Sequence, residues 1–281
     1  MKLHNHFLTI NILALLIIIL SAPQSHSWTM DAHKWILHEA VKRMPDSKGK
    51  EYIKENLEKI SYKVMDPDFR KGKGGALEMS YHKINLEEYF KYGFKIENFP
   101  WDKKKITEAV GKENFIEIGQ GPWGLKEVFD NMVKALKSRD KKNFIQLAAD
   151  FAHYEGDLHN PLHITSNYNG QLSGNFGVHI RFEKDLTLRF LSEVKSEKRI
   201  KINKITNFEK FTFAHLKKSF THVALVIRAD KTAQWEPGLY DEKYYSRYWM
   251  LVKDVYYDVL NDAADNLACY LHTAVLNAGL K

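Results

Sequence analysis

Residues 141–163 read KKNFIQLAADFAHYEGDLHNPLH. Phe144, Leu147, Ala148, Phe151 and Leu158 recur at spacings of three and four, the period of a helix with one apolar face. The pattern predicts a helix over 141–159. His153 and Asp157 lie four apart and therefore share a face, which sits roughly 200° round the axis from Phe151. The same face carries Ala149 and Gly156. Small residues beside two polar groups leave room for an ion and for close approach of another helix. Pro161 cannot continue a helix and turns the chain back, so His163 follows Asp157 by six residues across that turn.

Most of the remaining chain also reads as helix. Asp31 is the expected N-cap of a helix over 32–44, with Trp35, Ile36 and Ala40 on its apolar face. Residues 131–136 continue a helix that starts near Gly124. Long C-terminal helices are expected over 208–229 and 240–278, the second with a break near Asn261. Segments 67–75, 119–124 and 159–177 read as loops. Pro is scarce at 7 and Gly modest at 15, which argues against an all-β chain. The expectation is one compact, all-α, multi-helix domain over residues 28–281.

The chain has 281 residues, 44% hydrophobic and 27% charged, with a net charge of +7. These values exclude a disordered polyelectrolyte, a collagen-like fibre and a polytopic membrane protein. The mild basicity favours anionic partners. The one cysteine, Cys269, excludes an intrachain disulfide and reads as a small buried apolar residue. Lys2, the apolar run 12–20 and Ser25-His26-Ser27 have the layout of a signal peptide over residues 1–27. Cleavage after Ser27 would export the protein, periplasmic or secreted, with Trp28 as its first residue.

Ten histidines lie beyond Ser27. His179 and Glu183 repeat the four-residue spacing on a second expected helix. One such pair is most often a helix-stabilising contact. Two pairs with His163 between them suggest a metal site built from imidazole and carboxylate, since no thiolate set is present. His33, His38, Asp66, Asp68 and His82 are upstream candidates.

Taken in order, these residues resemble the zinc-dependent phospholipase C and single-strand nuclease superfamily. Trp28 stands at the cleavage point, His33 opens His33-Lys34-Trp35-Ile36, and Asp68 precedes His82 by fourteen. The series His153-x3-Asp157-x5-His163 follows, and His179-x3-Glu183 closes it. The resemblance runs from Trp28 through Glu183. It implies an all-α hydrolase of phosphate esters holding three zinc ions. One zinc would take Asp68, His82, His153 and Asp157, a second His163, His179 and Glu183. The third would take Trp28, through its amine and carbonyl, and His33, with Asp157 bridging to the first. Asp66 competes with Asp68, and His38 with His33. Asp68 is the implied catalytic proton acceptor as well as a ligand.

Two substrate classes fit the superfamily. Gly177-Val178-His179-Ile180-Arg181-Phe182-Glu183 resembles the phospholipase phrase and ends on Glu. The implied partner is then a phospholipid headgroup, with peripheral contact to lipid and no obligate protein partner. Asp31 and Phe69 are candidate headgroup contacts, although Met79 stands where an aromatic is expected. A nuclease or 3′-nucleotidase would instead need aromatic platforms for bases, for which Tyr154, Tyr168, Asn175 and Phe176 are positioned. A non-enzymatic binding protein with structural metal is the third reading and requires closed coordination. Trp123, Trp235 and Trp249 read as core packing.

Overall fold

The computed structural model describes residues 28–97 and 99–280; the expected signal peptide over residues 1–27 lies outside them. The described residues contain no strand. The helices are α1 (Met30–Arg43), α2 (Lys48–Lys63), α3 (Asp66–Tyr81), α4 (Leu86–Phe90), α5 (Lys103–Val110), α6 (Lys112–Ile118), α7 (Gly121–Lys137) and α8 (Lys141–Asp157). A 3₁₀ turn Pro161–His163 follows. The short α9 (Val178–Ile180) leads through a π turn Arg181–Asp185 into α10 (Leu186–Phe190). The chain closes with α11 (Phe208–Ala233) and α12 (Glu242–Asn277).

Local chemistry sets several of these starts. Ser47, Asp140, Asn207 and Asp241 accept from the backbone N–H three residues on, at 2.8–3.1 Å, satisfying donors that the first turn leaves open. α1 begins at Met30, so Asp31 lies in its first turn, where a carboxylate complements the helix dipole, and is not the cap.

The 36-residue α12 is the central element, packing along α1 and α11 and touching α2, α7 and α8. Tyr244, Tyr248, Val252, Tyr256 and Val259 are among its buried side chains. No break occurs at Asn261. Its amide donates to Tyr257 O and Lys195 O, both at 3.0 Å, and its carbonyl accepts from the buried Arg43 guanidinium at 2.7 Å. Arg43 also reaches Asp265 at 3.1 Å, which locks the end of α1 to α12. A polar side chain at 261 thus serves a helix–helix junction, with the helix intact.

Residues 67–75 are helical, part of α3. At Gly75, φ 60° and ψ −149° kink α3 into two helical segments, a positive-φ conformation that glycine adopts without a Cβ clash. Lysines and glycines disguised a helix whose register matters, because α3 carries Asp68. Trp123 and Trp249 are buried as expected, but Trp235 stands 42% exposed on the turn after α11. Its indole N–H donates to Asp241 at 3.2 Å.

Candidate metal centre

The helix dipeptide spacing places His153 and Asp157 on the inner face of α8, fully buried. Gly156 on that face meets α1 so closely that a Cβ there would sit 3.0 Å from His33 Nδ1. The His33 ring stacks on His153 at 4.1 Å between centroids. α3 brings Asp68, and His82 follows immediately as its C-cap. The 3₁₀ turn brings His163, and the helix through residues 178–190 brings His179 and Glu183.

Three groups of potential ligand atoms result: His33, His153 and Asp157; Asp68, His82 and His153; His163, His179 and Glu183. Within each, the atoms lie within 4.8 Å of one another. Asp157 divides its oxygens. Oδ1 lies 3.4 Å from His33 Nε2, and Oδ2 lies 2.7 Å from His82 Nδ1 and 3.4 Å from His153 Nε2. Asp68 Oδ1 lies 3.3 Å from His153 Nε2 and 3.7 Å from His82 Nδ1. His163 Nε2 and His179 Nε2 are 3.0 Å apart, and Glu183 Oε2 lies 3.0 and 2.7 Å from them.

Backbone carbonyls orient two of the rings. His153 Nδ1 lies 2.8 Å from Val64 O, and His163 Nδ1 lies 2.8 Å from His82 O. A carbonyl can only accept, so each Nδ1 carries the proton and each Nε2 turns a lone pair inward. Those lone pairs then face carboxylate oxygens, and Glu183 Oε1 is buried without a hydrogen-bond partner among the described residues. Converging lone pairs repel unless a proton or a cation sits among them. The residues therefore fit divalent ions with nitrogen and oxygen preferences, zinc above all.

Without metal, protons take that role. Burial opposes charging His153, yet Asp157 and Asp68 outweigh it and raise its pKa to about 10. Burial also opposes charging His163, and Asp157 and Glu183 raise it. His33 falls to about 4 through burial and the neighbouring His153. Burial favours the neutral form of Asp157, but the imidazoles hold its pKa well below the ordinary carboxylate range.

The competing residues sit elsewhere. Asp66 pairs with Lys63 at 3.2 Å, and His38 lies 3.2 Å from Ser61 Oγ. Trp28 is fully buried, its indole packed against Tyr256 and Phe182 at 5.4 and 6.0 Å between centroids. Asp31 is exposed on α1, and Phe69 is exposed beside Asp68; neither belongs to a group. Tyr168 is exposed and stands edge-on to His179 at 6.0 Å.

Three neighbours escaped the sequence reading. Lys71 Nζ lies 2.6 Å from Asp68 Oδ1. Glu78 Oε1 lies 3.7 Å from His82 Nε2 and accepts from an Arg70 guanidinium N–H and from the Tyr154 hydroxyl. The spacing 68–71 is a helix-face spacing, which a loop over 67–75 does not present. Glu155, fully buried with a strongly raised pKa from burial, backs His159, which stacks on His215 at 4.3 Å.

Compared with known families, residues 32–257 match the family described as zinc dependent phospholipase C. No curated protein matches the chain.

Proposed function

The chain belongs to the zinc-dependent phospholipase C family, and from that premise we propose that residues 28–281 form an exported hydrolase that cleaves phospholipid headgroup esters. Asp68, His82, His153 and Asp157 would hold one zinc, and His163, His179 and Glu183 a second. His33, Asp157 and the Trp28 amine would hold the third. The division of the Asp157 oxygens between His33 on one side and His82 with His153 on the other carries this reading.

When bound, the ions supply an activated water and neutralise phosphate charge near neutral pH. The chain's own part is positional. Val64 O and His82 O fix the His153 and His163 tautomers, so the ligand nitrogens need no reorganisation. Asp68 is the least buried carboxylate of the groups, at 14% side-chain exposure against 0–1% for Asp157 and Glu183. It is therefore the one that can meet both ligand and incoming solvent, as a proton acceptor must. His179 is the next most exposed ligand side chain, at 11%.

Glu183 as the closing carboxylate and Phe182 turned into the core against Trp28 support lipid over nucleic acid. Exposed Tyr168 beside His179 favours a single-strand nuclease or 3′-nucleotidase, since a base could stack on it. The deciding experiment assays purified protein side by side on phosphatidylcholine, single-stranded nucleic acid and a 3′-nucleotide, with and without chelator. Chelator-sensitive release of phosphocholine supports the proposal. Turnover of nucleic acid alone transfers the site to the nuclease reading. No turnover on any substrate, with zinc bound in full, identifies a structural metal site.

A further inference from the structure

His153 and His163 turn Nε2 inward, but His82 is turned the other way. Its Nδ1 lies 2.7 Å from Asp157 Oδ2, 3.2 Å from His153 Nε2 and 3.7 Å from Asp68 Oδ1. The atoms that would share a zinc with His82 therefore surround Nδ1. A neutral imidazole carries one proton, so an Nδ1 that ligates leaves that proton on Nε2. No backbone carbonyl receives it, in contrast to the protons of His153 and His163. His82 Nε2 is buried without a hydrogen-bond partner among the described residues. The acceptor it faces is a carboxylate. Glu78 Oε1 lies 3.7 Å away, one helical turn earlier, and a small rotation of the ring brings the two within the about 2.7–3.2 Å of an N–H···O bond.

Glu78 is itself fixed in place. Arg70 donates to Oε2 through Nε and to Oε1 through Nη2, both at 3.3 Å, and the Tyr154 hydroxyl donates to Oε1. Arg70 is anchored in turn by Asp150 Oδ1 at 3.0 Å and by the Tyr154 hydroxyl at 3.1 Å. The Tyr154 ring stands edge-on to His82 at 4.9 Å between centroids, so one tyrosine touches both the ring and the carboxylate that faces it. Arg70 and Glu78 lie on opposite sides of the Gly75 kink. Their ion pair thus clips the segment that carries Asp68 to the segment that ends at His82. Glu78 belongs to none of the three ligand groups and faces the ring atom directed away from them.

We propose that Glu78 is a positioning residue: its carboxylate accepts the Nε2 proton of His82 and so holds the ring with Nδ1 as the metal-binding atom, the opposite tautomer to His153 and His163. A carboxylate acceptor also makes the ring more basic, which strengthens Nδ1 as a donor to the ion. This rests on the reading of His82 as a zinc ligand and is independent of which phosphate ester is cleaved.

The test uses the zinc-loaded protein and the variants His82→Ala, Glu78→Ala and Glu78→Gln. Heteronuclear NMR of the histidine side chains reads the tautomer and the exchange of the ring proton. Competition with a chelator reads how tightly zinc is held. In the wild type, His82 should ligate through Nδ1 and keep a slowly exchanging proton on Nε2. His82→Ala should lose one zinc. Glu78→Ala should weaken the hold on that zinc by ~10–100-fold and let the Nε2 proton exchange quickly with solvent. It should still fold, because Arg70 keeps Asp150. Glu78→Gln, whose carbonyl oxygen still accepts, should restore much of both properties. Full zinc content in His82→Ala would remove the ligand on which the proposal rests. Loss of zinc in His82→Ala with wild-type zinc retention and proton exchange in Glu78→Ala would keep the ligand and overturn the role of Glu78. A wild-type proton on Nδ1 would overturn it without any variant. Equal zinc loss in Glu78→Ala and Glu78→Gln, with an equal fall in melting temperature, would overturn it too and leave Glu78 as a brace for Arg70.

Discussion

Gly156→Ala puts the proposed third ion to a sharp test. The new Cβ would lie 3.0 Å from His33 Nδ1, 3.3 Å from its Cε1 and 3.4 Å from Ile36 Cδ1. Both neighbours sit on α1, so the helix or the ring must yield by a few tenths of an ångström. α1 cannot simply slide, because Arg43 ties its end to Asn261 and Asp265. The ring is therefore the part that moves, which changes the Nε2 to Asp157 Oδ1 separation of 3.4 Å. Ligand distances tolerate only about 0.2 Å before a metal site weakens. Alanine gains up to about 1 kcal/mol in helix propensity, against an overpacking cost of ~1–3 kcal/mol. The net loss of stability is then between zero and ~3 kcal/mol, a fall in Tm of several degrees at most for a domain of this size. Zinc per chain should drop from three to two while the fold persists, and phosphodiester turnover should fall at least ~10-fold, since removing even an outer partner of a metal ligand costs that much. The assay is elemental analysis after gel filtration, read beside circular dichroism melting and turnover. Three tightly held zinc ions and unchanged turnover would refute the assignment of His33.

Other perturbations address the remaining residues. Asp157→Asn should remove metal from two groups at once and abolish turnover; unchanged metal content would reject the bridging role. Metal-free protein should bind zinc with proton release at neutral pH, because His153 must give up its proton first; calorimetry in buffers of differing ionisation enthalpy reads this. In that metal-free form His153 has a raised pKa of about 10. Its stabilisation is complete below the unfolded value near 6.5 and fades as pH rises through 10, a dependence that melting curves should show for the metal-free and not the zinc-loaded protein. A chain with two residues added before Trp28 should fold and retain two zinc ions, because an amide nitrogen cannot donate its lone pair as an amine does. Equal zinc content in both forms would remove Trp28 from the site. Asp230→Asn leaves the buried Arg181 guanidinium underpaired and should cost ~3–5 kcal/mol, measured by denaturant unfolding.

The helical class and the two pairs His153–Asp157 and His179–Glu183 were legible in the chain because both are local. The stripe from Phe144 to Leu158 reports a helix through spacing alone, and His153 with Asp157 share a face by the same arithmetic. Where local signals mixed, the reading failed. Glycines and lysines at 67–75 imitate a loop, yet one positive-φ Gly75 lets α3 absorb them, and its packing on α7 and α8 outweighs propensity. Asn261 imitates a break but bonds a guanidinium 218 positions earlier, a partner no window along the chain contains. The exposure of Trp235 depended on where the turn after α11 came to rest. The sequence by itself determined that His153 with Asp157, and His179 with Glu183, share a helix face, because spacing along a helix fixes which side chains meet; the rest of the ligand series rested on the family resemblance. Only the tertiary structure decided that Asp68 rather than Asp66 faces His153. It alone also turned the two Asp157 oxygens to different histidines, because such meetings depend on helix packing across long stretches of chain.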